Sequence, residues 1–298
     1  MKISLGTWSF SFGPYADHPV SLDRIIDKVA RAGYDGLELC GYPPQVTLER
    51  YATKSARNEL RSLIEDRGLE ISGYSSDQTM CNPTAPENRQ AYLDLFYRQL
   101  ELCADLGCPM IRVDTVAAPG SIPDADYDSA FERLADTWRA AAAAAEPAGV
   151  RMLWEFEPGF VFNKPSEILA LHERVKHPNF KLVFDTAHAY LCATTGARQH
   201  GKRETLQGGL LEFLDKAYAR IGHVHLVDSD GTLLADETSK HLPFGEGHID
   251  FAGLAPYLLA LRDIGWWCVD LCFCADAWEQ VEPSLEFVEN LLSSKPAA

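Results

Sequence analysis

The chain has 298 residues, a formal net charge of −16 and a 46% share of hydrophobic residues. That is enough apolar material for two ordinary domains or for one large α/β barrel, and we expect a single domain over 1–298. The acidity argues against a nucleic-acid backbone or an anionic membrane surface as partner. No apolar run approaches a membrane span, and Met1-Lys-Ile-Ser-Leu-Gly-Thr-Trp lacks the build of a signal peptide. The eight cysteines are scattered, which suits free thiols in a reducing, cytoplasmic setting.

In chain order, the strand Lys2-Ile-Ser-Leu-Gly comes first. A repeating unit then follows: an amphipathic helix, a short turn that usually holds glycine, and a short apolar strand. Ser21 opens the first helix as its expected N-cap, with Leu22, Ile25, Ile26 and Val29 on one face. Further helices are expected over 52–66, 87–106, 126–147, 166–176, 205–219, 251–263 and 278–293. Gly33, Gly68, Gly107, Gly149, Gly222 and Gly265, with Asn179, occupy the positions of left-handed helix ends. Eight strands alternating with eight helices predict a parallel sheet closed into a (β/α)8 TIM barrel. An open doubly wound sheet is the alternative, but no Gly-x-Gly-x-x-Gly follows the first strand. The segment between His225 and Phe251 is the longest irregular one.

Four apolar runs in the second half end in metal-type ligands: Glu155, Asp185, His225 and Asp270. They are 30, 40 and 45 residues apart (155 to 185, 185 to 225, 225 to 270), about one strand and helix per ligand. Burying carboxylates at strand ends is costly without a partner, and one divalent cation serves all four. Three oxygen donors and one imidazole make a fairly hard site, suited to Mn²⁺, Mg²⁺ or Co²⁺, with Zn²⁺ still open. Each residue also has a plainer reading. Glu155 could pair with an arginine such as Arg112, Asp185 could cap the next turn, His225 could be a core histidine, and Asp270 could face solvent.

Lys181-Leu-Val-Phe-Asp-Thr-Ala-His188, Gly222-His-Val-His-Leu-Val-Asp228 and Pro243-Phe-Gly-Glu-Gly-His-Ile-Asp-Phe251 resemble the xylose-isomerase-like sugar isomerase and epimerase barrels. That set includes inosose isomerases and dehydratases and the ketose 3-epimerases. The likeness runs along nearly the whole chain and is weakest in the first four strands. It implies a metal held by Glu155, Asp185, His225 and Asp270, with His188 on the substrate. It also implies proton transfer next to a carbonyl by the strand-five and strand-eight carboxylates, here Glu155 and Asp270.

Where the family has glutamate, Asp270 is one methylene shorter. This withdraws the carboxylate by roughly 1.5 Å and shifts acid–base work toward Glu157, His188 or His241. Glu157 lies on the same strand face as Glu155 and is expected to act in catalysis or substrate binding. Trp8, Lys240 and His241 are further substrate-binding candidates. Glu38, Asp77 and Asp114 close strands two to four and either join the site or fix loops.

The expected reaction is isomerisation or epimerisation of a keto-sugar or cyclitol. The alternative is a lyase of inosose- or dehydroshikimate-dehydratase type, or one that cleaves 3-keto-glycosides. No glycine-rich anion cradle supports a phosphorylated substrate. Other classes on the same superfold are an apurinic-site endonuclease, disfavoured by the charge, and a non-catalytic sugar-binding subunit. Homo-oligomerisation is left open.

Overall fold

The computed structural model describes residues 1–235, 237–261 and 264–293. The first half runs β1 (Lys2–Gly6), α1 (Leu22–Ala32), β2 (Gly36–Cys40), α2 (Lys54–Glu65), β3 (Glu70–Ser75), α3 (Arg89–Leu106), β4 (Met110–Val113) and α4 (Tyr127–Ala145). The second half continues with β5 (Arg151–Glu155), α5 (Pro165–Val175), β6 (Phe180–Asp185), the short α6 (Thr186–Tyr190), α7 (Gly209–Ala217) and β7 (Ile221–Leu226). A small hairpin, β8 (Leu233–Leu234) and β9 (Thr238–Ser239), then precedes α8 (Phe251–Ala260), β10 (Trp266–Val269) and α9 (Val281–Ser293). The strands close in the order β1-β10-β7-β6-β5-β4-β3-β2, with parallel pairing between barrel neighbours. The TIM barrel expected from the alternating pattern is the observed fold. The end of the helix expected over 251–263, at 262–263, lies outside the described residues, as does Asp263 of the last repeat.

Strand parity decides which side chains enter the barrel. Ile111, Val113, Met152, Trp154, Leu182, Phe184, Val224, Leu226, Trp267 and Val269 face outward and join the helices in the main core. The alternate residues face inward. Met110, Leu153 and Val183 pack together inside the barrel. Two residues further along β5 and β6, the same inward face presents Glu155 and Asp185. On both strands the last inward position thus carries a carboxylate next to an apolar layer.

Not every helix-end residue behaves as expected. Gly33 and Gly107 take left-handed backbone at φ 98° and 70°. Gly222 instead lies inside β7, where an added Cβ would come within 2.6 Å of the Lys181 Cβ. There glycine serves close strand contact rather than a cap. Neither Gly265 nor Asn179 has positive φ, and Lys176, at φ 49°, ends α5. Ser21 holds the N-cap backbone position but makes no side-chain cap bond.

The long segment after β7 is organised by the buried Asp228. Its Oδ1 accepts from the backbone N–H of Ser229 (2.8 Å) and Ile249 (3.2 Å), and its Oδ2 from Gly245 (2.9 Å) and Gly247 (3.0 Å). The Gly245-Glu-Gly-His-Ile stretch is thus a backbone cradle around one carboxylate. A Cβ at Gly247 would sit 2.2 Å from Asp228 Oδ1. Losing a charged acceptor of four buried or part-buried donors is expensive. We expect Asp228→Ala to lower the unfolding free energy by about 3 kcal/mol or more, read as a drop in the urea midpoint. An unchanged midpoint would show that the loop is held otherwise.

Candidate functional site

Glu155, Asp185, His225 and Asp270 each bring one ligand atom to within 4.8 Å of the others. All four are buried, between 0% and 5% exposed. Each has one polar atom anchored by the protein. Glu155 Oε2 accepts from Arg112 Nε at 2.6 Å and lies 2.5 Å from Nη2. Asp185 Oδ1 caps α6 by accepting the His188 N–H at 2.8 Å. His225 Nε2 lies 3.2 Å from Glu38 Oε2. Asp270 Oδ1 accepts from Trp8 Nε1 (2.8 Å) and the Cys272 N–H (2.7 Å). The ion pair and the cap foreseen as plainer readings are therefore present, and each engages only one of its residue's two carboxylate oxygens. The solvent-facing alternative for Asp270 is overturned.

The remaining atoms are the informative ones. Glu155 Oε1, Asp185 Oδ2 and His225 Nδ1 are buried and make no aligned hydrogen bond, although Oε1 and Nδ1 approach to 2.7 Å. Unsatisfied buried polar atoms are rare and call for an explanation. Three of them converging from three strands fit a divalent cation in both chemistry and placement.

The electrostatics are those of a crowded acidic pocket: burial lowers the proton affinity of His225, but Glu38 and Glu155 outweigh it and raise it well above the imidazole range. Burial pushes Asp185 up to about 7, with Asp270 and Glu155 adding repulsion. Against its own burial, Glu155 is held well below the carboxylate range by Arg112 and His225. Burial likewise opposes ionisation of Glu38, but His225 and His223 keep it low. His223 Nε2 lies 2.8 Å from Glu38 Oε2, so the two histidines of His-Val-His share a side and a partner. Glu38 is inside the barrel, not in a loop. It fixes the ring that offers Nδ1 to the site, as carboxylates behind metal-binding histidines do.

A cavity of about 400 Å³ is lined by Glu155 and Asp270 together with Arg112, Asp114, Glu157, His188 and His241, while Asp185 and His225 do not reach its surface. Glu157 lies 3.9 Å from Arg112 Nη2 and accepts a short bond from the Thr238 hydroxyl. Burial raises it to about 7 despite Arg112. His188 Nδ1 meets the Ser239 hydroxyl, and burial with the neighbouring His241 lowers His188 to about 3. His241 has both ring nitrogens without hydrogen bonds, and its Nδ1 is 3.7 Å from Asp270 Oδ1. Burial lowers its affinity for a proton, but Asp270 outweighs this and raises it to about 9. Trp8 is 7% exposed, with its ring 5.4 Å from that of His225.

Two candidates do not join the group. The Lys240 ammonium pairs with Asp230 at 3.0 Å, and the residue does not line the cavity. Asp77 ties down its own loop through Thr79. Conversely, Thr238 and Ser239 hold Glu157 and His188 although neither drew notice in the sequence. They lie 81 and 51 residues from those partners, and a two-residue strand carries no readable periodicity.

The family described as xylose isomerase-like TIM barrel matches residues 26–291. The chain belongs to that family. Inosose dehydratase of Salmonella agona is 24% identical over 273 residues, 83% of this chain and 80% of that protein. Two structures of the same fold are D-psicose 3-epimerase from Clostridium cellulolyticum H10 and the IOLI protein with a bound zinc atom. The first has a TM-score of 0.75 at 17% identity, covering 99% of this chain and 100% of that one. The second has a TM-score of 0.72 at 17% identity, covering 100% of each. The xylose-isomerase-like barrel is thus established here, with its charged end built from this chain's own donors.

Two outcomes are expected. Glu38→Gln should weaken Mn²⁺ binding about 10- to 100-fold by calorimetry; unchanged affinity would remove Glu38 from the site's support. Because Asp185 titrates near 7, a cation must displace its proton at lower pH. Affinity should therefore fall as pH drops from 7 to 5, and a flat profile would contradict the assignment.

Proposed function

We propose that the protein is a divalent-metal-dependent isomerase or epimerase of a keto-sugar or cyclitol, acting by proton transfer next to a carbonyl. The observation that carries this is the convergence of three buried donor atoms without aligned hydrogen bonds, with Asp270 beside them, next to a cavity that Glu155 and Asp270 line together with proton-moving groups. Glu155, Asp185, His225 and Asp270 would hold the ion, which would supply Lewis-acid stabilisation for negative charge developing beside a substrate carbonyl. The donor set favours Mn²⁺, Mg²⁺ or Co²⁺. Zn²⁺, present in the IOLI structure, belongs in the same titration.

The chain's residues divide the remaining work. Arg112 locks Glu155 and leaves it a weak base. Asp270 has two donors on Oδ1, which suits a fixed ligand better than a mobile base. Glu157 lines the cavity and titrates near 7, so it can both take and return a proton at neutral pH. His188 and His241 face the same space and are the substrate-binding groups. No helix among the described residues is long and apolar enough to cross a membrane, and all eight cysteines are free. Both facts are in keeping with a cytoplasmic enzyme acting on small molecules.

A second reading, β-elimination by a lyase, is favoured by the inequality of the two flanking carboxylates. With Asp270 tied, one face of the substrate lacks a base, and His241 beside it carries the proton a departing hydroxyl needs. The inosose dehydratase relatives point in that direction.

Incubation with keto-sugars and a keto-inositol in deuterated water with Mn²⁺ separates the two. Solvent deuterium in a product of unchanged skeleton supports the first reading, and loss of water supports the second. If neither occurs with any substrate, both fall. Glu157→Gln should cut kcat by about a hundredfold or more while Mn²⁺ affinity is preserved. Full activity in that variant would place the base elsewhere.

A further inference from the structure

We propose that the substrate carries an aromatic substituent, so that the ligand is an aryl glycoside in ketone form rather than a free sugar; this rests on the keto-sugar reading above. The cavity has two unlike ends. Its floor holds the carboxylates and histidines, and its wall includes Phe12, Tyr42, Phe160 and Phe273. A volume of about 400 Å³ falls in the range that encloses drug-sized molecules, which is more than one sugar ring requires.

The aromatic wall is a built feature. Phe12, Tyr42 and Phe273 pack on Trp8, Cys40, Cys268 and Cys272 in an apolar cluster separate from the main core. Phe12 meets Tyr42 edge-on at 5.6 Å and Phe273 at 6.3 Å. All three are only part-buried, so the core does not account for them. Phe273 has φ 64°, in the left-handed region that a bulky side chain rarely adopts. Gly13 makes room for it, since a Cβ there would come within 2.9 Å of the Phe273 ring. Strained backbone of this kind persists where the surroundings hold a side chain in place, typically at ligand sites.

Trp8 joins the two ends. Its indole N–H bonds Asp270 on the floor, and its ring belongs to the aromatic cluster. A ligand continuous across that junction needs hydroxyls and a carbonyl at one end and an apolar face at the other. Flat rings that meet at their edges and faces receive another aromatic ring best. A single sugar ring can stack a C–H face on one of these rings, whereas the edge-and-face arrangement of three rings is filled best by a further aromatic ring.

The test is calorimetry on the Mn²⁺-loaded Glu157→Gln variant, using phenyl and methyl 3-keto-β-D-glucopyranosides and phenol as probes. The phenyl glycoside should bind at least about tenfold more tightly than the methyl one. Adding Phe12→Ala or Phe273→Ala should bring that ratio toward one while methyl-glycoside affinity stays the same. Equal affinities, or a ratio that survives both substitutions, would overturn the aromatic subsite and leave the keto-sugar reading standing. If phenol binds and neither glycoside does, the keto-sugar reading itself fails, and this proposal with it.

Discussion

Three carboxylates and an imidazole share one buried space at the end of this barrel, and much of the upper structure answers that electrostatic demand. Bringing like charges together out of water is unfavourable unless each is paired. The chain meets the demand halfway. One atom of each group is tied to Arg112, to the α6 backbone, to Glu38, or to Trp8 and Cys272. For Glu155, Asp185 and His225 the other atom is left without an aligned partner. This division makes the site rigid without satisfying it, as expected of preorganised ligands.

The supporting layer explains features that otherwise look unrelated. Arg112 on β4 spreads its charge over Glu155 and Asp114, and approaches Glu157 less closely. The β8–β9 hairpin reaches across the cavity to hold Glu157 and His188 through Thr238 and Ser239. Asp228 in turn gathers the loop that follows the hairpin onto the end of β7. Glu157 and His188 are therefore held from a loop hairpin, while the metal-type ligands are set at the strand ends. That distribution is common in barrels, where loops vary and strands set the frame.

The barrel was legible because the unit of amphipathic helix, turn and short apolar strand recurs along the chain, and each repeat independently supports the same topology. Glu155, Asp185 and His225 were legible as the last inward residue of an apolar run. Asp270 was placed by position, and its burial beneath Trp8 depends on a pairing 262 residues apart. Glu38 stayed open between joining the site and fixing a loop because the 185-residue gap to its histidine partner leaves no local trace. Lys240 looked like a site lysine from its place in a long loop, but Asp230 ten residues away claims it. Gly222 resembled a helix end because a helix-end glycine and one that permits close strand contact look the same in sequence. What sequence missed was pairing across the barrel; what it caught was periodic or local.

The central claim is that Glu155, Asp185, His225 and Asp270 hold one divalent cation. Anomalous diffraction from a crystal soaked in Mn²⁺ tests it most directly. A single strong peak within bonding distance of Glu155 Oε1, Asp185 Oδ2 and His225 Nδ1 is the predicted result. A crystal saturated with Mn²⁺ that shows no peak between those atoms would contradict the account.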